Sequence, residues 1–247
     1  RIVGETGGKD FVVAHASAEI RGLATCLLRG AFEYQGQKCS ATSRAYIPRG
    51  IWPALRDALC AQLDRVKVGP VEDFSNFMGA VIDRAAFGSI RDYIRFAQDS
   101  PEAEVIYGGG ADDTTGYFIQ PTVVLTTNPR FKLMEEEIFG PVLTVFLYDD
   151  DRFPEILDLC DGTSPYALTG AVFARDRAAI GQAWDRLRHA AGNFYINDKT
   201  TGAVVGHQPF GGARASGTND KAGSIYNLLR WIRSEEHTSE LQSRQVI

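Results

Sequence analysis

The sequence predicts an α/β fold, a mostly parallel β-sheet with helices packed on both of its faces. Three observations carry this reading. Short apolar runs alternate with amphipathic runs along nearly the whole chain, the pattern of strands joined by crossover helices. At 247 residues the chain is long enough to bury one large α/β core or two small ones. Its 44% hydrophobic and 23% charged content is that of a globular protein.

Each element follows from its own residues. Phe11-Val12-Val13-Ala14 reads as a short strand. Ser17 is placed to cap a helix with Glu19 in its first turn, and Ile20, Leu23, Ala24, Leu27, Leu28, Ala31 and Phe32 supply one apolar face. Arg44 to Ile47 reads as a strand stopped at Pro48. Leu55, Leu59, Leu63 and Val66 form the stripe of a helix from Trp52 to Val66, and Phe87, Ile90, Ile94 and Ala97 that of a helix from Arg84 to Gln98. Val105 to Tyr107 is a strand ending in Gly108-Gly109-Gly110; the acidic Ala111-Asp112-Asp113 that follows favours a plain turn over a phosphate cradle. Strands from Tyr117 to Leu125 and from Pro141 to Tyr148 come next, then a helix from Phe153 to Cys160. A strand from Leu168 to Phe173, a helix from Arg177 to Ala191 and a strand from Asn193 to Ile196 complete the pattern. The remaining stretch, Asn197 to Thr218, is glycine-rich and irregular; loops of that length in compact domains are usually functional.

Composition excludes several classes. The formal charge is −5, with lysine and arginine scattered, which argues against a nucleic-acid partner. No uninterrupted apolar run approaches transmembrane length, so no membrane partner is expected. Four cysteines (Cys26, Cys39, Cys60, Cys160) contain no CxxC, and His15, His189 and His207 have no ligand spacing. The expectation is therefore a reducing compartment, no disulfide framework and no metal. The chain starts at Arg1 with no signal-peptide pattern, and residues 233–247, polar and without a helical stripe, resemble the translation of a sequencing adapter. They are expected to be a non-native tail.

The stretch Glu33-Tyr34-Gln35-Gly36-Gln37-Lys38-Cys39-Ser40-Ala41 concentrates the chemistry. Its cysteine has polar flanks and a lysine neighbour, the setting that favours a reactive thiolate. A turn at Gly36 would aim backbone N–H groups near Cys39 at a bound carbonyl oxygen. An ordinary half-buried cysteine is the competing reading, and Lys38 either tunes the thiol or is simply solvated.

Glu5-Thr6-Gly7-Gly8-Lys9, Gly36-Gln37-Lys38-Cys39-Ser40, Glu136-Glu137-Ile138-Phe139-Gly140-Pro141 and Pro209-Phe210-Gly211-Gly212 stand in the order and spacing of the aldehyde dehydrogenase superfamily, which the chain resembles from residue 4 to about 217. Phe32 to Ala41, Gly192-Asn193-Phe194-Tyr195-Ile196-Asn197-Asp198-Lys199 and Gly211 to Asp220 are most similar to the branch that oxidises L-glutamate γ-semialdehyde. The resemblance implies a catalytic domain over residues 1–217, with 218–232 starting a C-terminal segment. It implies Cys39 as nucleophile, adding to the aldehyde and passing through thiohemiacetal and thioester. It also implies Glu5 as general base, although on its own Glu5 reads as a solvated turn carboxylate. Glu137 would hold the nicotinamide ribose of NAD, with Phe139 near the ring and Glu135 and Glu136 as solvated neighbours. In the loop Thr201-Gly202-Ala203-Val204-Val205-Gly206, Gly202 and Ala203 would anchor the α-carboxylate of the small-molecule aldehyde, partly by backbone N–H groups. Ala203 lacks the serine hydroxyl of some members. Phe210 would flank the aliphatic part of the substrate or pack in the core.

The superfamily's dinucleotide-binding domain precedes the equivalent of Glu5, and this chain contains no strand–GxGxxG–helix unit. The 247-residue polypeptide is thus expected to be a truncated piece that binds NAD poorly, which calorimetry can check. Its full-length parent is expected to form homo-oligomers, in the cytoplasm if bacterial or the mitochondrial matrix if eukaryotic. Two other readings stay open: a piece of another aldehyde dehydrogenase, or a non-catalytic pseudoenzyme or assembly subunit.

Overall fold

The computed structural model describes residues 2–204 and 206–232. The expected non-native tail and Val205 lie outside the described residues. In chain order the elements are β1 (Asp10–Ala14), α1 (Ile20–Phe32), β2 (Thr42–Pro48), α2 (Trp52–Leu63), α3 (Arg84–Asp99), β3 (Ala103–Tyr107), β4 (Ala111–Asp112), β5 (Phe118–Ile119) and β6 (Thr122–Thr126). They continue with α4 (Lys132–Glu135), β7 (Val142–Tyr148), α5 (Phe153–Gly162), β8 (Tyr166–Ala167), β9 (Thr169–Phe173), α6 (Arg177–Leu187), β10 (Asn193–Ile196), β11 (Ala213–Arg214) and α7 (Ile225–Leu229).

Seven strands form one sheet in the order β10-β9-β1-β2-β7-β6-β3. All neighbours run parallel except β3, which pairs antiparallel with β6 at the edge. The mostly parallel sheet is as the alternation predicts. Successive strand residues point to opposite faces, and both faces are covered. Phe11 and Val13 of β1 join a core built with α3, α4, α5 and α6. Val12 and Ala14 join a second core with α1 and α2.

Several local expectations are corrected. Glu19, not Ser17, caps α1, its carboxylate accepting from the N–H groups of Arg21 (3.0 Å) and Gly22 (2.6 Å). The Ser17 hydroxyl instead accepts from the N–H groups of Arg175 and Asp176, stitching the loops after β1 and β9. The strand expected over Tyr117 to Leu125 divides into β5 and β6, because Pro121 offers no N–H to a ladder. The helices expected to reach Val66 and Ala191 end at Leu63 and Leu187. The single-turn helix α4 ends on Glu135, the first of the run of glutamates, and neither it nor α7 had a counterpart in the sequence pattern.

A cation sits inside the first core. Arg44, 2% exposed, donates from Nε to the Lys9 carbonyl at 2.9 Å. Its Nη1 donates to Tyr46 Oη (3.0 Å) and to the Cys160 carbonyl (3.1 Å). A buried charge is tolerable only with its donors occupied in this way. The bonds tie β1, β2 and α5 together near the amino ends of the strands.

Candidate active site

The strand order explains why distant motifs meet. Strands β1, β2 and β7 are adjacent and parallel, so the segments leading into them emerge along one edge of the sheet. Glu5 lies before β1, Cys39 before β2, and Glu137 and Phe139 before β7. The crevice rule for open α/β sheets directs ligands to the carboxyl ends of strands. Here the candidate chemistry gathers at the amino ends. At the carboxyl ends of β2 and β7 a smaller cavity of about 350 Å³ is lined by Arg49, Tyr148, Asp149, Arg152 and Glu155, with no cysteine among its lining residues.

The chain reaches Cys39 through an unusual turn. Tyr34, Gln35 and Gly36 all have left-handed φ angles (58°, 58° and 65°). Such a conformation costs a non-glycine residue about 1–2 kcal/mol. Glutamine side chains hold it in place. Gln35 accepts from the Gly79 N–H (3.1 Å) and donates to the Ala80 carbonyl (3.2 Å), while Gln37 accepts from the Ile82 N–H (2.9 Å). A turn at Gly36 is thus borne out, but it spans three residues and is fastened from the segment before α3.

Cys39 is half-buried and lines a largely apolar cavity of about 680 Å³ with Phe139, Ala203, Val204, Gln208 and Phe210. Among the described residues its backbone N–H donates to no protein acceptor. Burial pushes the thiol up to about 11, helped by the negative charges of Glu5, Asp10 and Glu137 and opposed by the Ser40 N–H. Lys38 does not supply the expected stabilisation. Its Nζ turns to Glu33 Oε2 at 3.3 Å, so a carboxylate neutralises the charge that was to favour thiolate.

Glu5 couples electrostatically to Cys39, and its backbone bridges Gly217. Burial raises its pKa, with Lys221 opposing. Lys221 is itself anchored, its Nζ donating to the Gly192 and Gly211 carbonyls. A carboxylate displaced upward beside a thiol is suited to taking a proton from water.

Glu137 is half-buried, and its Oε1 accepts from the Gly8 N–H at 2.9 Å. Glu136 and Glu135 lie outward, on Tyr93 (2.6 Å) and Arg130 (3.5 Å) respectively. Phe139 is 46% exposed with φ 55°, and it opens onto the Cys39 cavity. A carboxylate and an aromatic face beside Cys39 could hold the ribose and ring of a nicotinamide.

Of the two backbone donors expected in the substrate loop, one is engaged. The Gly202 N–H donates to the Lys199 carbonyl at 3.1 Å, whereas the Ala203 N–H has no partner among the described residues. Phe210 lines the cavity, half-buried, in a backbone bridge with Ala222.

Sequence reasoning assigned no role to Lys9 and Asp10, which are fully buried behind Cys39. Lys9 Nζ donates to Ser43 Oγ at 2.5 Å. Asp10 Oδ1 accepts from the N–H and hydroxyl of Thr169 at 2.6 and 2.8 Å, and its Oδ2 has no partner. Burial drives the lysine pKa down and the aspartate pKa up. A Cβ on Gly8 would stand 2.4 Å from the Cys39 carbonyl oxygen and 2.5 Å from Asp10 Oδ2. Gly8→Ala should therefore cost about 1–3 kcal/mol in urea unfolding; an unshifted midpoint would show that the Cys39 loop yields freely.

Comparison with known proteins agrees with this architecture. The profile described as "Aldehyde dehydrogenase family" matches residues 1–235. A mitochondrial delta-1-pyrroline-5-carboxylate dehydrogenase of Dictyostelium discoideum is 59% identical over 232 residues, 94% of this chain and 42% of the relative. The human mitochondrial enzyme of that name is 51% identical over 232 residues, 94% of this chain and 41% of its own. The crystal structure of the Mycobacterium tuberculosis delta-pyrroline-5-carboxylate dehydrogenase bound with NAD superposes with a TM-score of 0.86 at 57% identity, covering 93% of this chain and 42% of that one. This chain thus spans about two fifths of the length of the relatives it matches. It belongs to the aldehyde dehydrogenase family.

Proposed function

We propose that this chain supplies the nucleophile and substrate cavity for NAD-dependent oxidation of L-glutamate γ-semialdehyde to L-glutamate. The observation that supports this most is the meeting of Cys39, Glu5, Glu137 and Phe139 on one sheet edge, closed over by Ala203 and Phe210. The names of the relatives, and the NAD in a solved one, support the substrate and cofactor.

The Cys39 thiol gives its proton to solvent, Sγ adds to the aldehyde carbon to form a C–S bond, and the carbonyl π pair moves to the oxygen, which accepts from the free Cys39 N–H. Glu137 and Phe139 would hold the ribose and ring of NAD, which when bound accepts the hydride from that carbon. The carbonyl re-forms as a thioester on Cys39. Glu5 takes a proton from water, the water oxygen bonds to the acyl carbon, the C–S bond breaks and glutamate leaves. The Ala203 N–H receives the substrate carboxylate and Phe210 packs on its methylenes. Residues 1–217 act as the catalytic domain.

The test is a chimera in which this chain replaces the matched part of the Mycobacterium tuberculosis dehydrogenase. Its kcat/KM for glutamate semialdehyde should exceed that for propanal by at least about 100-fold. A preference for propanal would favour another aldehyde dehydrogenase, and no oxidation of either would favour a non-catalytic role.

A further inference from the structure

The loop after β10 is fastened to the nucleophile turn on both sides of Cys39. On one side Glu33 Oε2 accepts from Lys38 Nζ at 3.3 Å and from Lys199 Nζ at 3.2 Å. Arg29 Nε holds the other oxygen at 2.5 Å. Burial alone would raise the Glu33 pKa, but hydrogen bonds from Arg29 and Lys199 bring it below the ordinary value. On the other side the Thr200 hydroxyl donates to the Ser40 carbonyl at 2.7 Å. That uses its only proton, so it accepts from the Thr42 hydroxyl at 2.8 Å. Thr42 and Thr200 are 1% and 0% exposed, so water does not compete for these bonds, and a fully satisfied buried chain of this kind is rigid.

Lys38 and Ser40 flank Cys39 directly, and Lys199 and Thr200 directly precede the cavity-lining stretch that starts at Thr201. Two independent bridges, one ionic and one hydroxyl, thus connect the same two short segments. The ionic bridge lies nearer solvent, with the Lys38 and Lys199 side chains 35% and 27% exposed. The hydroxyl bridge is the dry one and sets the spacing.

We propose that Thr200 and Glu33 are positioning residues that fix the distance between Cys39 Sγ and residues 201–204, so that the site selects aldehydes long enough to reach both. This rests on the functional reading above and adds to it the length of substrate the site takes. An aldehyde with a carboxylate at its far end engages the thiol and the Ala203 N–H at once, so it benefits only while their separation is held. A short aldehyde engages the thiol alone and is indifferent to the loop.

The chimera described above is compared with its Thr200→Val, Thr200→Ser and Glu33→Gln variants, thermal unfolding reporting on the fold. Valine keeps the volume of threonine but removes the Thr42 hydroxyl's acceptor and leaves the Ser40 carbonyl only the longer contact from the Thr169 hydroxyl at 3.4 Å. The expected result is a loss of about tenfold or more in kcat/KM for glutamate semialdehyde, with propanal changed by less than about threefold. Thr200→Ser should recover most of the loss, and Glu33→Gln should move the ratio of the two substrates in the same direction by less. Equal losses for both aldehydes, or no loss for either, would overturn the proposal. Should the valine variant not fold, an unchanged ratio in Glu33→Gln overturns it by itself. A parent chimera that oxidises propanal but not glutamate semialdehyde would overturn the functional reading, and this one with it. A parent that prefers glutamate semialdehyde while its variants keep that preference would overturn this one alone.

Discussion

Replacing Glu5 with glutamine in the chimeric dehydrogenase is expected to leave the first turnover nearly intact and stall the second half of the reaction. Two consequences of one charge lead there. Glu5 is the proposed base for water, and loss of a positioned general base costs typically 10²–10⁴-fold in turnover. The same carboxylate, by its charge, helps hold the Cys39 thiol in its protonated form. Removing that charge makes the thiolate easier to form while stranding the thioester. Rapid mixing should show a burst of reduced nucleotide close to one per site, followed by a steady rate reduced by about 10²-fold or more. A first turnover slowed as much as the steady rate would mean that Glu5 also takes the thiol proton, and the division of labour proposed here would be wrong.

The second large effect is in the reactivity of Cys39 itself. Burial and the neighbouring carboxylates push the thiol up to about 11, against about 8.5 for an unperturbed cysteine. Deprotonation gives the nucleophile, so a raised value means less thiolate at any pH below it. At pH 8 the folded chain should hold on the order of 10²-fold less thiolate than the unfolded chain. The more basic thiolate is intrinsically more nucleophilic, which returns about tenfold. Alkylation of Cys39 by iodoacetamide at pH 8 should then be about tenfold slower in the 247-residue chain than in the same chain in urea. The rate should keep climbing with pH through 10. Glu5→Gln should speed alkylation by about threefold at pH 8 while it slows turnover, a pair of opposite signs that generalised damage does not give. Equal alkylation rates with and without urea would contradict the burial of the thiol. The thiolate that the lysine neighbour was to favour is therefore not expected near neutral pH.

That reversal shows where local sequence stops being informative. Lys38 sits beside Cys39 in the chain, and adjacency suggested an electropositive thiol. The side chain instead reaches Glu33, and the groups that act on Sγ are Glu5, Asp10 and Glu137, the nearest of them 29 residues away. Electrostatics follows distance in space. The Gly202 N–H shows the same limit, since whether a backbone donor is free depends on how its own turn closes.

The helices and strands were legible because their evidence is periodic and local. The apolar stripes of α1 and α3 and the strand at β10 fall where their spacing puts them. The ends were less legible, since a cap is a competition among nearby side chains. Glu19 caps α1 because Ser17 is already committed to the loop after β9, a contact 158 residues away.

The chain by itself determined the alternation that makes a parallel sheet and the motif residues that place it among aldehyde dehydrogenases. Only the tertiary structure decided that β7 lies beside β2 rather than beside β3. Sequence order does not contain strand order, because which edges pair depends on how helices cover the two faces. That one adjacency brings Glu137 and Phe139 beside Cys39. The same folding carries Thr200 back to Ser40 and sets the Cys39 thiol among carboxylates.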